Sequence, residues 1–455
     1  MLDPELTLTP ENYGLLTDLY ELTMSACYVG EGLDQRRASF ELFTRQLPEN
    51  YGYLVAMGLT QALEYLQQLQ FGEEQIAALQ ATGIFEQAPA AFWEQLRAAR
   101  FSGDVWAVPE GSVVFANEPM LRIEAPLWQA QLVETYLLCT LNYQTLVATR
   151  AARLRDVAGP EAALLEFGSR RAFGPQAALW AARAAIAAGL DATSNVLAAL
   201  KLGHKPSGTM AHSLVMAIGA LESGEDAAFE AFHRYFPGAT LLIDTYDTVE
   251  AAQRLAQQQR QGRTVVNGVR LDSGDLVSLS QTVRSLLPDT QIFVSGDLDE
   301  WEIQRLRQHG AAIDGYGVGT RLVTGQPVNG VYKLVEIDGI PVMKESRQKL
   351  TYPGRKQIFR RYDEAGQWQG DRLGLSTELP AAAEQPLLEP VMVGGQRLGP
   401  HDSLEAIARR TAESVDRLPQ SLRQITAPAT ATVEISEPLQ TLTQRTQHHR
   451  QPSYT

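Results

Sequence analysis

The sequence is poor in the residues that usually announce a special environment. It has two cysteines, Cys27 and Cys139, with no CxxC spacing. That excludes a disulfide framework and a structural zinc site built on thiolates. No run of roughly 18 apolar residues occurs, so no membrane-spanning helix is expected. The opening stretch MLDPELTLTP is acidic and has no apolar centre, so it does not read as a signal peptide. Basic residues are outnumbered, 39 Lys and Arg against 53 Asp and Glu, for a net charge of −14. A duplex-binding protein needs a basic footprint, and none is visible; neither nucleic acid nor a membrane is an expected partner. A small anion remains possible as a ligand, because local arginines can hold one despite the overall charge.

Histidine is scarce too. The seven are His204, His212, His233, His309, His401, His448 and His449, and none forms an HxxxH or HExxH array. No side-chain metal ligands are assigned on that basis. The GxSxG elbow is absent, so Ser213, although it follows His212, does not read as a hydrolase nucleophile. No internal repeat is evident.

What is present is an ordinary globular composition over 455 residues, 44% hydrophobic and 20% charged. It fits two or three domains and a cytoplasmic location. TDLYELTMSACYVGEG has helical spacing with Thr17 as its cap. RASFELFTR alternates, which places Ala38, Phe40 and Leu42 on a buried strand face. SVVFANEPMLRIEAP reads as two paired strands around Asn117–Pro119, and a long Ala/Leu-rich helix is expected from about Leu127 to Arg155.

From Glu161 the rhythm changes. AALLEF runs into GSRRAFG, TLLID into TYDT, VVNGVRLD into SGDL, QIFVSG into DLDE, and AIDGYGVGT into RLVTG. LDATSN and HKPSGTMAH add two further candidates, for about seven strand-to-helix junctions. Such a series implies parallel strands with helical crossovers. A closed α/β barrel and an open doubly wound sheet both use it, and periodicity does not separate them. After Val331 the pattern returns to strands, in VYKLVEI, IPVMKES and KQIFRRY, which can complete the N-terminal β region. The last stretch is polar and Thr/Gln-rich, and its end is expected to be poorly ordered.

In α/β folds chemistry sits at the C-terminal strand ends. The candidates there are Glu166, Phe167, Ser169, Arg170 and Arg171; Ser194; Ser207, Gly208, Thr209 and His212; Asp244, Tyr246 and Asp247; Arg270, Asp272, Ser273, Gly274 and Asp275; Ser295, Gly296 and Asp297; and Gly317, Gly319 and Thr320. Arg270 and Asp272 are two apart and face one side of an extended strand. They can bind an anion and sugar hydroxyls respectively, or form a simple ion pair. The glycines of GYGVGT let backbone N–H groups approach a phosphate, or merely turn the chain. In EFGSRRAFG an aromatic ring beside arginines suits a flat anionic ligand, with packing and surface pairing as the plainer role.

These stretches, together and in this order, resemble the nicotinate phosphoribosyltransferase family of type II phosphoribosyltransferases. The resemblance covers nearly the whole chain: TDLYELTM, FELFTRQLPENYGYLVAMGL, LEFGSRRAFGPQAA, SGTMAHSLVMA, LIDTYDT, GVRLDSGDL, GYGVGTRLVT and GVYKLVEIDGIPVMKES. It implies a fold: an irregular α/β barrel of about seven parallel strands over 136–344, beside an N-terminal α+β, β-rich and sandwich-like domain over 1–135. Segments from about 345–455 would complete that domain, and a polar tail would begin near 430.

The resemblance also implies an activity of the ATP-dependent ligase class, in NAD biosynthesis. Nicotinate and 5-phosphoribosyl 1-diphosphate would give nicotinate mononucleotide and diphosphate, while ATP is hydrolysed through a phosphohistidine at His212. Tyr20, from the partner in a homodimer with shared sites, and Phe167 would stack on the pyridine ring. Arg270, Arg170 and Thr209 would bind its carboxylate or the neighbouring phosphoribosyl group. Ser194, where a nicotinamide-using relative carries an acid, would admit nicotinate. Asp272 would hold the ribose, with Mg²⁺ nearby as cofactor. Ser273, Gly274, Gly296, Gly317, Gly319 and Thr320 would bind the phosphates. A nicotinamide- or quinolinate-using relative and a non-catalytic nucleotide-binding barrel are the alternatives.

Overall fold

The computed structural model describes residues 6–222, 224–346 and 349–448. Two compact units divide the chain: Met1–Leu146 with Pro327–Thr455, and Val147–Gln326. The first boundary falls inside the helix Glu134–Ala158. Among the described residues no helix is long and apolar enough to cross a membrane.

The first unit is built on a seven-stranded sheet. Its order is Ile340–Pro341, Gly330–Ile337, Arg37–Thr44, Pro119–Pro126, Asp104–Ala107, Glu389–Val393 and Gln396–Arg397. Every pairing in it is antiparallel. Strands from beyond residue 326 thus flank those from the N-terminal part, with Leu42 opposite both Tyr332 and Leu121. A four-stranded sheet adds Glu384–Pro386, Lys356–Tyr362, Trp368–Leu375 and Val433–Ile435. Its Ile358 and Leu373 belong to the same core as Phe40, Leu42 and Leu121.

That second layer changes the reading of RASFELFTR. Ala38, Phe40 and Leu42 are buried as expected, but so are Ser39, Glu41 and Phe43. A strand covered on both faces loses its alternation. The buried Glu41 carboxylate is matched by Lys356, whose ammonium lies 2.8 Å away and also donates to the carbonyls of Tyr352 and Gly354.

Several local expectations are corrected by tertiary contacts. The first helix is Leu19–Gly30 and begins after Asp18, because the Thr17 hydroxyl donates instead to the Leu132 carbonyl. Val113–Val114 pairs with Leu54–Val55 and not with Pro119–Pro126, so the expected hairpin is absent. Asn117 supplies a left-handed turn (φ 67°) between them. The long helix is split into Leu127–Leu132 and Glu134–Ala158. Part of the polar C-terminal stretch is regular, as the strand Val433–Ile435 and the helix Glu437–His448; residues 449–455 lie outside the described residues.

The second unit is a six-stranded parallel sheet. We label its strands in chain order: β1 Ala163–Glu166, β2 Ala192–Thr193, β3 Leu241–Leu242, β4 Gly268–Leu271, β5 Gln291–Val294 and β6 Gly315–Val318. The spatial order is β2-β1-β6-β5-β4-β3, and every pair is parallel. About seven strands were expected. The missing one is the His204–Ala211 stretch, which runs as a loop and meets β2 through one bond, from Ser207 N–H to the Thr193 carbonyl at 2.9 Å. Pro206 and Gly208 leave it little capacity for a ladder.

Helices return the chain between strands. The Ala-rich helix Pro175–Ala187 opens on proline and buries Ala181, Ala182, Ala184 and Ala185 completely. Thr248–Arg260, Leu276–Leu286 and Glu300–Gln308 start at Asp247, Asp275 and Asp299, whose carboxylates accept from the backbone N–H groups of Glu250, Val277 and Glu302. Aspartate both satisfies the free N–H groups and complements the helix dipole.

Glu21 in the first unit gives a pH test. It is fully buried, its Oε2 accepts from Gln131 Nε2 at 2.7 Å, and burial pushes its carboxyl up to about 7 from an ordinary 4.5, with Glu134 adding to the rise. A carboxyl raised in the fold stabilises it while protonated, so this contribution is complete below about 4.5 and is lost as pH climbs through about 7. Glu21→Gln removes the titration. Its urea midpoint should fall less than that of the parent between about pH 5 and about pH 8. An equal fall in both proteins would refute the assignment.

Candidate functional site

Because the strands are parallel, their C-terminal ends and the following loops gather on one edge of the second unit. A small cavity there, about 50 Å³, is lined by Phe167, Ser207, Gly208, Thr209, Arg270 and Gly317 over apolar Leu165, Phe293 and Val294. Residues from five separate loops and strands, far apart in sequence, therefore meet at one place.

Arg270, on β4, points its Nη1 at the Thr209 hydroxyl, within hydrogen-bond reach. Its Nε is buried and, among the described residues, has no hydrogen-bond partner. Burial holds the guanidinium below its ordinary pKa and Arg170 adds to that, while Asp272 and Asp244 oppose it. Arg270 and Asp272 are not an ion pair among the described residues; Asp272 Oδ1 accepts instead from Ser295 Oγ. The Asp272 backbone N–H donates to Asp244 Oδ2 at 2.8 Å, and Ser273 Oγ donates to the same oxygen at 2.7 Å.

Phe167 stands at the end of β1 and its ring lies against Gly317 on β6. A Cβ at Gly317 would sit 2.5 Å from Phe167 Cε2. Only glycine lets the ring lie there. At Gly296 (φ 96°) a Cβ would fall 2.3 Å from the Asp272 carbonyl oxygen, so two strand-end backbones touch. Gly274 also takes a left-handed conformation (φ 86°). Gly319 caps the short helix Thr320–Val323 after β6. Arg170 and Arg171 are exposed on the 3-10 turn Ser169–Arg171. Ser194 follows β2, with its Cβ 4.0 Å from where a Cβ at Gly208 would be.

His212 is the first residue of the helix His212–Leu221. Its Nδ1 lies 3.0 Å from the Thr245 hydroxyl, and its Nε2 lies 4.0 Å from Asp244 Oδ1. The Asp244 side chain is 2% exposed, and among the described residues that Oδ1 has no hydrogen-bond partner. Ser213 is exposed and contributes nothing to this contact. Asp244 was one of the strand-end candidates but had no role from sequence; Thr245 was missed entirely. LIDTYDT carries both, but one-dimensional spacing gives no sign that they meet His212. Asp247 and Asp275, also strand-end candidates, are occupied as helix caps. Tyr20 belongs to the other unit, on Leu19–Gly30, with its side chain largely exposed. Among the described residues no group of three or more His, Cys, Asp or Glu gathers as a metal site.

Comparison with known proteins gives a consistent picture. Family patterns described as the nicotinate phosphoribosyltransferase N-terminal domain, family and C-terminal domain match residues 15–142, 162–361 and 376–443. The chain is 41% identical over 423 residues to the nicotinate phosphoribosyltransferase pncB2 of Mycobacterium tuberculosis, covering 90% of this chain and 89% of that protein. It is 42% identical over 388 residues to the nicotinate phosphoribosyltransferase of Bacillus subtilis, covering 81% and 77%. The crystal structure of human nicotinic acid phosphoribosyltransferase superposes with a TM-score of 0.83 at 32% identity, covering 94% of this chain and 99% of that one.

The Phe167–Gly317 contact predicts the effect of one methyl group. Gly317→Ala forces the ring to move. The thermal shift given by saturating nicotinate should shrink to near zero while the unliganded protein stays folded. An undiminished shift would mean that Phe167 does not form the base site.

Proposed function

Because the chain belongs to the nicotinate phosphoribosyltransferase family, we propose that the cavity between Phe167 and Arg270 is where it joins nicotinate to a phosphoribosyl group. The reaction takes nicotinate and 5-phosphoribosyl 1-diphosphate to nicotinate mononucleotide and diphosphate, a step of NAD salvage. The observation that carries the placement is the convergence of Phe167, Thr209, Arg270 and Asp272 on one edge of the parallel sheet.

The roles follow from chemistry. The pyridine lies against the Phe167 ring, which is held on Gly317. Its carboxylate meets Arg270, whose buried Nε has a donor to spare. Ser194, uncharged, does not repel that carboxylate. The ring nitrogen attacks the ribose C1 as the bond to diphosphate breaks, and no general base is needed, so positioning carries much of the catalysis. Asp272 holds the ribose hydroxyls. Ser273, Gly274, Gly296, Gly319 and Thr320 supply hydroxyls and accessible backbone N–H groups for phosphate.

A magnesium ion that takes most of its ligands from phosphate and water needs only one or two carboxylates, which is what Asp272 and Asp244 offer. Bound there with the substrate, it would offset the charge of the departing diphosphate. Tyr20 of a second copy in a homodimer would cover the other face of the base. The strand order also bears on the fold. β1 adjoins both β2 and β6, and β3 to β6 are neighbours in sequence order, so β2 and β3 alone among consecutive strands are unpaired. We read the sheet as a barrel left open there, with the loop from His204 to Ala211 beside β2. A cytoplasmic setting completes the proposal.

ATP enters through His212. The Asp244 carboxylate favours the proton on Nε2, so Nδ1 accepts from the Thr245 hydroxyl, and its lone pair becomes the nucleophile once that hydroxyl turns away. Nδ1 forms a bond to the γ-phosphorus of ATP as the bond to ADP breaks; water later cleaves the N–P bond and releases phosphate. At the first turn of its helix the phosphorylated side chain also meets the favourable end of the helix dipole.

Purified protein given 5-phosphoribosyl 1-diphosphate should make mononucleotide from nicotinate, and not from nicotinamide or quinolinate, with faster turnover when ATP is present. Product from quinolinate alone would move the chain to the quinolinate-using relatives, and no product from any base would leave a silent binding barrel. His212→Ala should lose the ATP stimulation and the acid-labile phosphate while keeping a basal rate. ATP-stimulated turnover in that variant would overturn the phosphocarrier role.

A further inference from the structure

Glu166 ends β1 and is completely buried. Among the described residues it has no Lys or Arg partner. Leaving a carboxylate in that state is costly unless donors surround it. Its donors come from two different strand-end loops. The Gly168 backbone N–H donates to Oε1, in the turn that carries Phe167 and Arg170. The Thr193 hydroxyl donates to Oε2, from the end of β2 just before Ser194. Thr193 is itself fully buried. Its oxygen in turn accepts the Asn195 backbone N–H at 2.9 Å.

The circuit then closes. Asn195 Nδ2 donates to Ser169 Oγ at 2.9 Å, back in the first loop. Asn195 Oδ1 accepts from the Ala198 N–H, which anchors the turn to the helix Val196–Lys201. The Thr193 carbonyl accepts from Ser207 N–H at 2.9 Å, which places the loop bearing Gly208 and Thr209. Space for this arrangement is tight. A Cβ at Gly168 would lie 2.9 Å from Glu166 Oε1 and 2.4 Å from Val323 Cγ1. These groups bond to one another, and the network's products are the positions of Phe167, Arg170, Ser194 and Thr209.

We propose that Glu166 is a positioning residue for base recognition, its carboxylate locking the Phe167–Arg170 turn to the Thr193–Asn195 turn. The proposal rests on the reading that nicotinate binds beside Phe167. Glutamine substitutes poorly. Its amide N–H would face the Thr193 hydroxyl, whose second lone pair can accept it, but the buried Thr193 O–H then loses the oxygen it donates to. The two loops would drift relative to each other, and the base, held between them, would lose contacts that the phosphoribosyl end does not use.

The test uses Glu166→Gln, Thr193→Val and Thr193→Ser in the full chain, each checked for folding by thermal melting. For Glu166→Gln and Thr193→Val the KM for nicotinate should rise by about 10- to 100-fold, with the KM for 5-phosphoribosyl 1-diphosphate nearly unchanged. Thr193→Ser keeps the hydroxyl and should stay close to the parent. If Glu166→Gln does not fold, Thr193→Val against Thr193→Ser decides. An unchanged nicotinate KM in Thr193→Val, or an equal rise for both substrates, would reduce Glu166 to a structural role. Phe167→Ala separates the two ideas. If it leaves the nicotinate KM unchanged, the base site itself is misplaced; if it raises the KM while Thr193→Val does not, only the positioning role fails.

Discussion

The second unit depends on one constraint: parallel strands can be joined only by crossovers that return the chain to the starting edge. All six strands then deliver their C-terminal ends to the same side. Each end is a place where backbone groups leave the ladder and polar side chains can stand without a hydrophobic neighbour. Phe167, Ser194, Asp244, Asp272, Ser295 and Gly319 occupy that edge for this reason alone, although 152 residues of numbering separate the first from the last.

Given that edge, the division of labour among its polar residues is set by what each is already bonded to. Asp247, Asp275 and Asp299 hold helix starts and have little left to offer. Glu166 is consumed by loop donors. Arg270 Nε and Asp244 Oδ1 are different: both are buried, and neither has a hydrogen-bond partner among the described residues. Buried polar atoms without partners are expensive. Their presence on the same edge as a cavity and a histidine ties the local energetics to the reading of the chemistry.

Part of this was legible in one dimension. The junctions AALLEF/GSRRAFG, VVNGVRLD/SGDL and QIFVSG/DLDE read correctly as strand then loop then helix, because a short apolar run followed by Gly and Asp has few other solutions. His204–Ala211 misled because an apolar helix follows a Pro/Gly turn there just as it does after a true strand. RASFELFTR looked one-sided because Glu41 is charged, and only the arrival of Lys356, more than 300 residues later, makes that charge tolerable inside. Likewise the split between Leu127–Leu132 and Glu134–Ala158 follows no breaker in the sequence.

The sequence by itself determined most of the element types in the middle segment, its parallel character, the set of strand-end residues and, through its ordered motifs, the family. Those depend on local preference and spacing, which every residue carries with it. Tertiary structure alone decided which of those residues meet: His212 with Thr245 and Asp244, Arg270 with Thr209, Phe167 over Gly317, and Glu166 with Thr193. Each pair is brought together by helical crossovers and by the order in which the strands pair. The packing of those crossovers and the strand register, rather than any property of the two residues, set the distance between them.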